Sequence, residues 1–214
     1  MLILIPGGEG HLNLKPNQLD VRSQFYQTLK RLNQGANPKE VLDVVLFDSP
    51  TPLTDRRGYP TTRATTDHLS RIGDVVRFYR EKTGKPIWLM GHSNGAVSVT
   101  EYVRYARKLG QDNPVAGLIV SDARSEAYFD STPLNFPVLF LHHRKDACPG
   151  ADSSESVRNF KKVQSLNKAP TSFVYVETGG PEESSPCYSG YHMYYGATEE
   201  VVTTLRAFIG PFLQ

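Results

Sequence analysis

A three-layer α/β domain, with a mostly parallel sheet of about six strands between two layers of helices, is the fold class this sequence predicts. Three observations lead there. Short β-rich runs alternate along the whole chain with longer segments of helical spacing, as strands joined by parallel crossovers do. The runs are apolar at consecutive positions, which suits strands buried on both faces. No internal repeat, low-complexity tract or charge block interrupts this order, so residues 1–214 read as one domain.

The first run, Leu2-Ile5, is a buried-type strand, and Leu19, Phe25, Leu29 and Leu32 then recur at helical spacing. Leu42-Phe47 is the second strand, followed by a helix marked by Leu69, Ile72, Val76 and Tyr79. Ile87-Met90 is the third. Val99, Tyr102, Val103 and Ala106 then lie three and four apart in a helix from Ala96 to Leu109, with Gly110 as its stop signal. Gly117-Val120 and Val138-Leu141 are further strands, and Val157, Phe160 and Val163 mark a helix before the last strand, Phe173-Val176. Val201, Leu205, Phe208 and Phe212 complete the pattern as a C-terminal helix. Right-handed crossovers gather the strand-to-helix loops on one edge of such a sheet, where ligands bind.

Composition removes several function classes. The 24 Lys and Arg against 22 Asp and Glu leave a net charge of +2, so no large field points to nucleic acid or a membrane surface. No apolar run approaches the roughly 18 residues of a membrane span. Met1-Ile5 is too short for a signal peptide and lacks a basic leader region. A strand this close to the first residue fits either a minimal fold or the loss of a leader. The second case favours a periplasmic or secreted address, the first a cytoplasmic one.

The chemistry concentrates at Gly91-His92-Ser93-Asn94-Gly95, between a strand and a helix. A G-x-S-x-G there is a nucleophile elbow: the serine sits at a sharp strained turn with its hydroxyl above the sheet. The flanking glycines let strand and helix approach closely. The alternative is a small-residue turn without chemistry, and the strand before and helix after it favour the elbow. A serine hydroxyl needs a base, and the base an orienting acid, placed on this fold in the chain order Ser, acid, His. His192, in the last connection before the C-terminal helix, is the base candidate. His11 and His68 precede the serine, His92 adjoins it, and His142 and His143 lie at a strand end. Asp146, after Val138-Leu141, and Asp122, after Gly117-Val120, compete as the acid, and chain order favours Asp146. Asp122 alternatively caps the following segment, and Asp48, upstream of the serine, reads as structural.

The loop Pro6-Gly7-Gly8-Glu9-Gly10 follows the first strand and can supply half of an oxyanion site. The N–H of Gly8 is the favoured donor there, with Gly7 or Glu9 as alternatives, and the N–H of Asn94 supplies the other half. A phosphate cradle is the rival reading, but Asn13 stands where the dinucleotide pattern needs glycine and no Walker motif follows. Cys148 and Cys187 flank the acid and the histidine, so loops that meet in a triad bring the two thiols together as a disulfide; two free thiols are the alternative. Two cysteines form no zinc site alone, and no metal or organic cofactor is called for. Tyr128, Phe129, Tyr188, Tyr191, Tyr194 and Tyr195 are candidates for an aromatic rim, and Arg63 and Arg124 for contact with an acidic substrate group.

Together these stretches resemble the α/β-hydrolase superfamily, and within it bacterial, often exported, esterase-like serine hydrolases. The resemblance rests on Ile5-Gly10, Pro86-Ser93, His142-Cys148 and Cys187 through His192, and it spans nearly the whole chain. It implies Ser93, Asp146 and His192 as a triad with Gly8 and Asn94 as oxyanion donors. Two departures stand out: the superfamily's two leading strands are missing, and Met193 replaces a glycine that often follows the histidine. The implied activity is hydrolysis of a small-molecule carboxylic ester through an acyl-enzyme. Acyltransferase, thioesterase and amidase activity on the same triad, or a non-catalytic hydrolase-like binding protein, are the alternatives.

Overall fold

The computed structural model describes residues 1–15, 24–35, 41–55, 57–180, 185–188 and 190–213. The expected helical position Leu19, and Ser189 within the Cys187–His192 stretch, lie outside the described residues. Among these residues six strands form one sheet: β1 (Leu2–Ile5), β2 (Val44–Leu46), β3 (Trp88–His92), β4 (Gly117–Ser121), β5 (Val138–His143) and β6 (Thr171–Val176). Their spatial order is β2-β1-β3-β4-β5-β6, and every pairing is parallel. No strand precedes β1 among the described residues.

Among the described residues five helices connect and cover the strands: α1 (Gln24–Leu29), α2 (Thr66–Thr83), α3 (Asn94–Lys108), α4 (Ser153–Leu166) and α5 (Thr198–Ile209). Short 3-10 turns extend α1 and α5, at Lys30–Asn33 and Gly210–Phe212. The helices divide between the faces as right-handed crossovers require. From β1 to β2 the chain moves outward, and α1 lies on one face. It then reverses over β1 to β3, so α2 lies on the other, followed there by α3 and α4 as the strand order keeps advancing.

Alternation along each strand divides the core in two. Ile3, Ile5, Leu89, Leu118, Val120 and Phe140 face α2, α3 and α4. Leu2, Leu4, Trp88, Met90, Ile119 and Leu139 face α1 and α5. All twelve are almost fully buried, and each such side chain contributes roughly 1.5–3 kcal/mol against exposure. The central strands are covered on both sides, which is why their sequences are apolar without alternation. The direction of winding reverses between β1 and β3, so the loops that leave those strands diverge and open a crevice at the carboxyl edge.

Candidate active site

Ser93 follows β3 directly, with φ 54° and ψ −123°, a conformation that side-chain-bearing residues rarely adopt. The turn is held from two sides. Its N–H donates to Ser121 O at 2.9 Å. A Cβ on Gly91 would lie 2.3 Å from Gly95 O, and one on Gly95 only 2.1 Å from Ile5 O. Only glycine at both positions lets β3 turn into α3 beside β1.

The His192 Nδ1–H donates to Asp146 Oδ2 at 2.7 Å, across 46 residues of sequence. Asp146 leaves the carboxyl end of β5 with its side chain completely buried, and its other oxygen accepts the Cys148 N–H at 2.8 Å. Both lone-pair directions are thereby fixed. His192 Nε2 is buried without a hydrogen-bond partner, and His192 shares with Ser93 a cavity of about 660 Å³. No hydrogen bond joins Ser93 Oγ to His192 Nε2 in this structure; such contacts commonly tighten only with substrate bound.

The competing acid, Asp122, stands in the same cluster. One donor atom each from Asp122, Asp146 and His192 lies within 4.8 Å of the others. Asp122 does not cap the segment after it. It accepts the His143 N–H at 2.7 Å, and its Oδ1 lies 3.5 Å from His142 Nε2. Burial, then the neighbouring charge of Asp146, push its carboxyl well above the usual range. His142 Nδ1 meets Ser156 Oγ at 3.1 Å and its Nε2 lies 3.7 Å from Asp146 Oδ2. Desolvation lowers the His142 pKa to about 4, so this imidazole is neutral. The cluster thus sets a carboxyl of raised pKa and a neutral imidazole beside Asp146. The same three donors form the one grouping with metal-ligand character among the described residues.

The loop after β1 meets the start of α3. Gly7 N–H donates to the Tyr26 hydroxyl at 3.0 Å, which removes that amide from the oxyanion candidates. Gly8, at φ 55°, and Asn94, the first residue of the 15-residue helix α3, both line the cavity, and their N–H groups have no acceptor among the described residues. The Asn94 side chain ties the two together by donating to Gly8 O at 3.0 Å. The helix N-terminus adds a positive partial charge at this point. A disulfide joins Cys148 to Cys187, with Cα atoms 4.7 Å apart, and both half-cystines line the cavity.

No protein-family profile matches the chain, and no curated protein does. Solved structures do. The thioesterase RedJ of the prodiginine biosynthetic pathway in Streptomyces coelicolor superposes with a TM-score of 0.57 at 15% identity, covering 96% of this chain and 89% of that one. An α/β serine hydrolase without lid from Xanthomonas campestris gives 0.56 at 12% identity, covering 99% and 82%. The carboxylesterase of Bacillus cereus gives 0.57 at 12%, covering 95% and 85%. The chain has the α/β-hydrolase fold.

On this α/β-hydrolase framework several candidates fall elsewhere. Tyr194 is core, its ring 5.1 Å from Phe25, and Phe129 packs on Phe140. Tyr191 covers His143, Tyr195 lies over Gly180, and Tyr128 faces Arg104. Of the proposed aromatic rim only Tyr188 lines the cavity, with Met193 beside His192. Arg124 lines it too, held by Glu126 and Pro149 O, whereas Arg63 is buried beneath the loop after β1. Asp48 is structural: its two oxygens accept the N–H groups of Leu12 and Leu14 at 2.6 and 2.7 Å. Sequence reasoning missed Tyr26 and the pairing of Asp122 with His142. The consecutive His142-His143 at the end of β5 was the available signal for the second.

Proposed function

We propose that the protein is a serine hydrolase that cleaves a carboxylic ester through an acyl-enzyme on Ser93. One observation carries the reading: a His192 whose Nδ1 is bonded to buried Asp146 and whose unpartnered Nε2 shares a cavity with a strained elbow serine. In the reaction, His192 Nε2 takes the Ser93 proton as Ser93 Oγ bonds to the ester carbonyl carbon. The carbonyl oxygen becomes an oxyanion, received by the N–H groups of Gly8 and Asn94. Collapse breaks the carbon–alkoxide bond, and the leaving alkoxide takes the proton from His192. Water then adds to the acyl-enzyme with the same base, and release of the carboxylic acid returns the proton to Ser93. Asp146 keeps the imidazole in the tautomer that accepts at Nε2 and stabilises its charged form.

The similarity in fold to a thioesterase and a carboxylesterase supports acyl transfer to water on this site. The test is a panel of p-nitrophenyl esters and an acyl thioester with purified protein. Ester hydrolysis is expected, with Ser93→Ala lowering kcat by roughly 10³-fold or more. Hydrolysis by Ser93→Ala at the parental rate contradicts the assignment of the nucleophile. Cleavage of the thioester alone replaces the ester reading by a thioesterase.

A further inference from the structure

Arg63 is completely buried, ahead of α2, and no carboxylate of a described residue pairs with it. Its Nη1 donates to Ser98 Oγ at 2.9 Å, and its Nη2 donates to Gly8 O at 3.0 Å and to Gly7 O at 3.4 Å. The chain makes room for it: a Cβ on Gly10 would stand 2.8 Å from Nη2. Burial lowers its pKa to about 10, which leaves the guanidinium charged at neutral pH. The nearby Tyr26 hydroxyl, pushed up to about 12 by burial, is neutral and offers no compensating anion. His68, which shares Ser98 Oγ at 2.9 Å, is neutral as well, with its pKa lowered to about 4 by desolvation. A buried cation without a counter-ion is costly to keep, so its position calls for a reason.

The peptide geometry supplies one. In a trans peptide the C=O and the following N–H point in opposite directions, and no peptide among the described residues is cis. A donor that grips Gly7 O turns the Gly8 N–H away from itself, and one that grips Gly8 O does the same to the Glu9 N–H. Gly8 and Glu9 line the cavity, whereas Arg63 does not. A charged donor on a carbonyl also polarises that peptide, making its N–H a stronger donor on the far side.

We infer that Arg63 is a positioning residue for the oxyanion site: it fixes two successive peptide planes with their N–H groups toward the substrate, and its charge strengthens those donors as the oxyanion forms. The inference rests on the serine-hydrolase reading above. It belongs to the transition state, because the field of Arg63 gains most when negative charge appears beyond the Gly8 N–H.

The test compares the parent with Arg63→Gln, Arg63→Lys and Ser98→Ala, each checked for folding by thermal unfolding. The readouts are kcat and KM for p-nitrophenyl acetate and the affinity of an alkyl boronic acid. In that adduct the Ser93 oxygen bonds to boron, the tetrahedral boron carries the negative charge, and the serine proton passes to His192. Arg63→Gln is expected to lower kcat roughly a hundredfold with KM within about twofold, and to weaken the boronic acid by a similar factor. Arg63→Lys keeps the charge without the two-armed reach and recovers about tenfold of that loss. Ser98→Ala leaves the guanidinium charged but looser, for a loss of roughly fivefold in kcat. A folded Arg63→Gln with parental kcat, or with its loss confined to KM, overturns the assignment; equal losses in the Gln and Lys variants overturn the part played by charge. Should Arg63→Gln not fold, Ser98→Ala decides, and parental kcat and boronic-acid affinity there overturn the inference. A parent that neither hydrolyses the ester nor binds the boronic acid fails the serine-hydrolase reading first, and this inference with it.

Discussion

Two buried aspartates stand within a few ångströms of His192, and their surroundings assign them different work. Asp146 accepts hydrogen bonds from the imidazole and from the Cys148 amide. Asp122 is pushed toward its protonated form by burial and then by the neighbouring charge of Asp146. Asn is close to isosteric with a neutral aspartic acid, so Asp122→Asn is expected to change kcat by less than roughly tenfold. Asp146→Asn forces the wrong imidazole tautomer and is expected to cost about 10⁴-fold. Steady-state kinetics on the two variants checks this, and the reverse ranking would move the orienting role to Asp122.

At the scale of elements, the loops after β1, β3 and β5 and the loop before α5 converge, and two devices hold them there. The disulfide closes a stretch with a sequence separation of 39 and stabilises the fold by about 4 kcal/mol on the chain-entropy argument. Cys187→Ser in the parent is expected to lower unfolding free energy by about that amount. It should also lower kcat on the order of tenfold, less than the roughly hundredfold that a 1 Å misplacement of reacting groups can cause. Urea titration and kinetics below the unfolding midpoint measure the two effects separately. The second device is the close approach at the elbow. A methyl group at Gly95 meets Ile5 O, so Gly95→Ala is expected to cost roughly 3 kcal/mol or more in the same titration.

These elements show how far local sequence reaches. The apolar runs mark the strands: in β1, β3, β4 and β5 burial on both faces leaves a continuous apolar string, whereas the edge strands β2 and β6 are only partly buried. Their ends are less visible: β3 runs on through Gly91-His92 and β5 through His142-His143, where His92 pairs with Ser121 and His142 with Tyr175. Pairing partners far along the chain fix those ends. The same holds for the site. Ser93, Asp146 and His192 stand out by motif and chain order, whereas Tyr26 looks like one more apolar helix position and Arg63 sits in a Thr- and Pro-rich turn with no periodic pattern. Their contacts with the loop after β1 span 19 and 55 residues of sequence.

For the molecule as a whole, buried neutral histidines tie stability to pH. His68 has its pKa lowered to about 4, first by desolvation and then by the charge of Arg63. The unfolded chain protonates this residue below about 6.5 and the folded protein does not, so acid favours unfolding. Its contribution is intact above about pH 6.5 and is lost progressively as pH falls toward 4. At pH 5 the loss is about 2 kcal/mol from this residue. Asp122 acts in the opposite sense, since its raised pKa favours the folded state in acid, and comparing variant with parent cancels it. The fall in unfolding free energy between pH 7.5 and 5.0 is therefore expected to be about 2 kcal/mol smaller in His68→Gln than in the parent. Urea titrations at the two pH values measure it, and equal falls would contradict the neutral assignment of His68.

The central claim is that Ser93 is a nucleophile made reactive by His192. Intact-mass measurement after exposure to a fluorophosphonate probe tests it most directly. The account predicts a single adduct on the parent, mapped to Ser93, with none on Ser93→Ala and strongly slowed addition on His192→Gln. A folded parent that takes up no probe, or a His192→Gln variant labelled as fast as the parent, would contradict it.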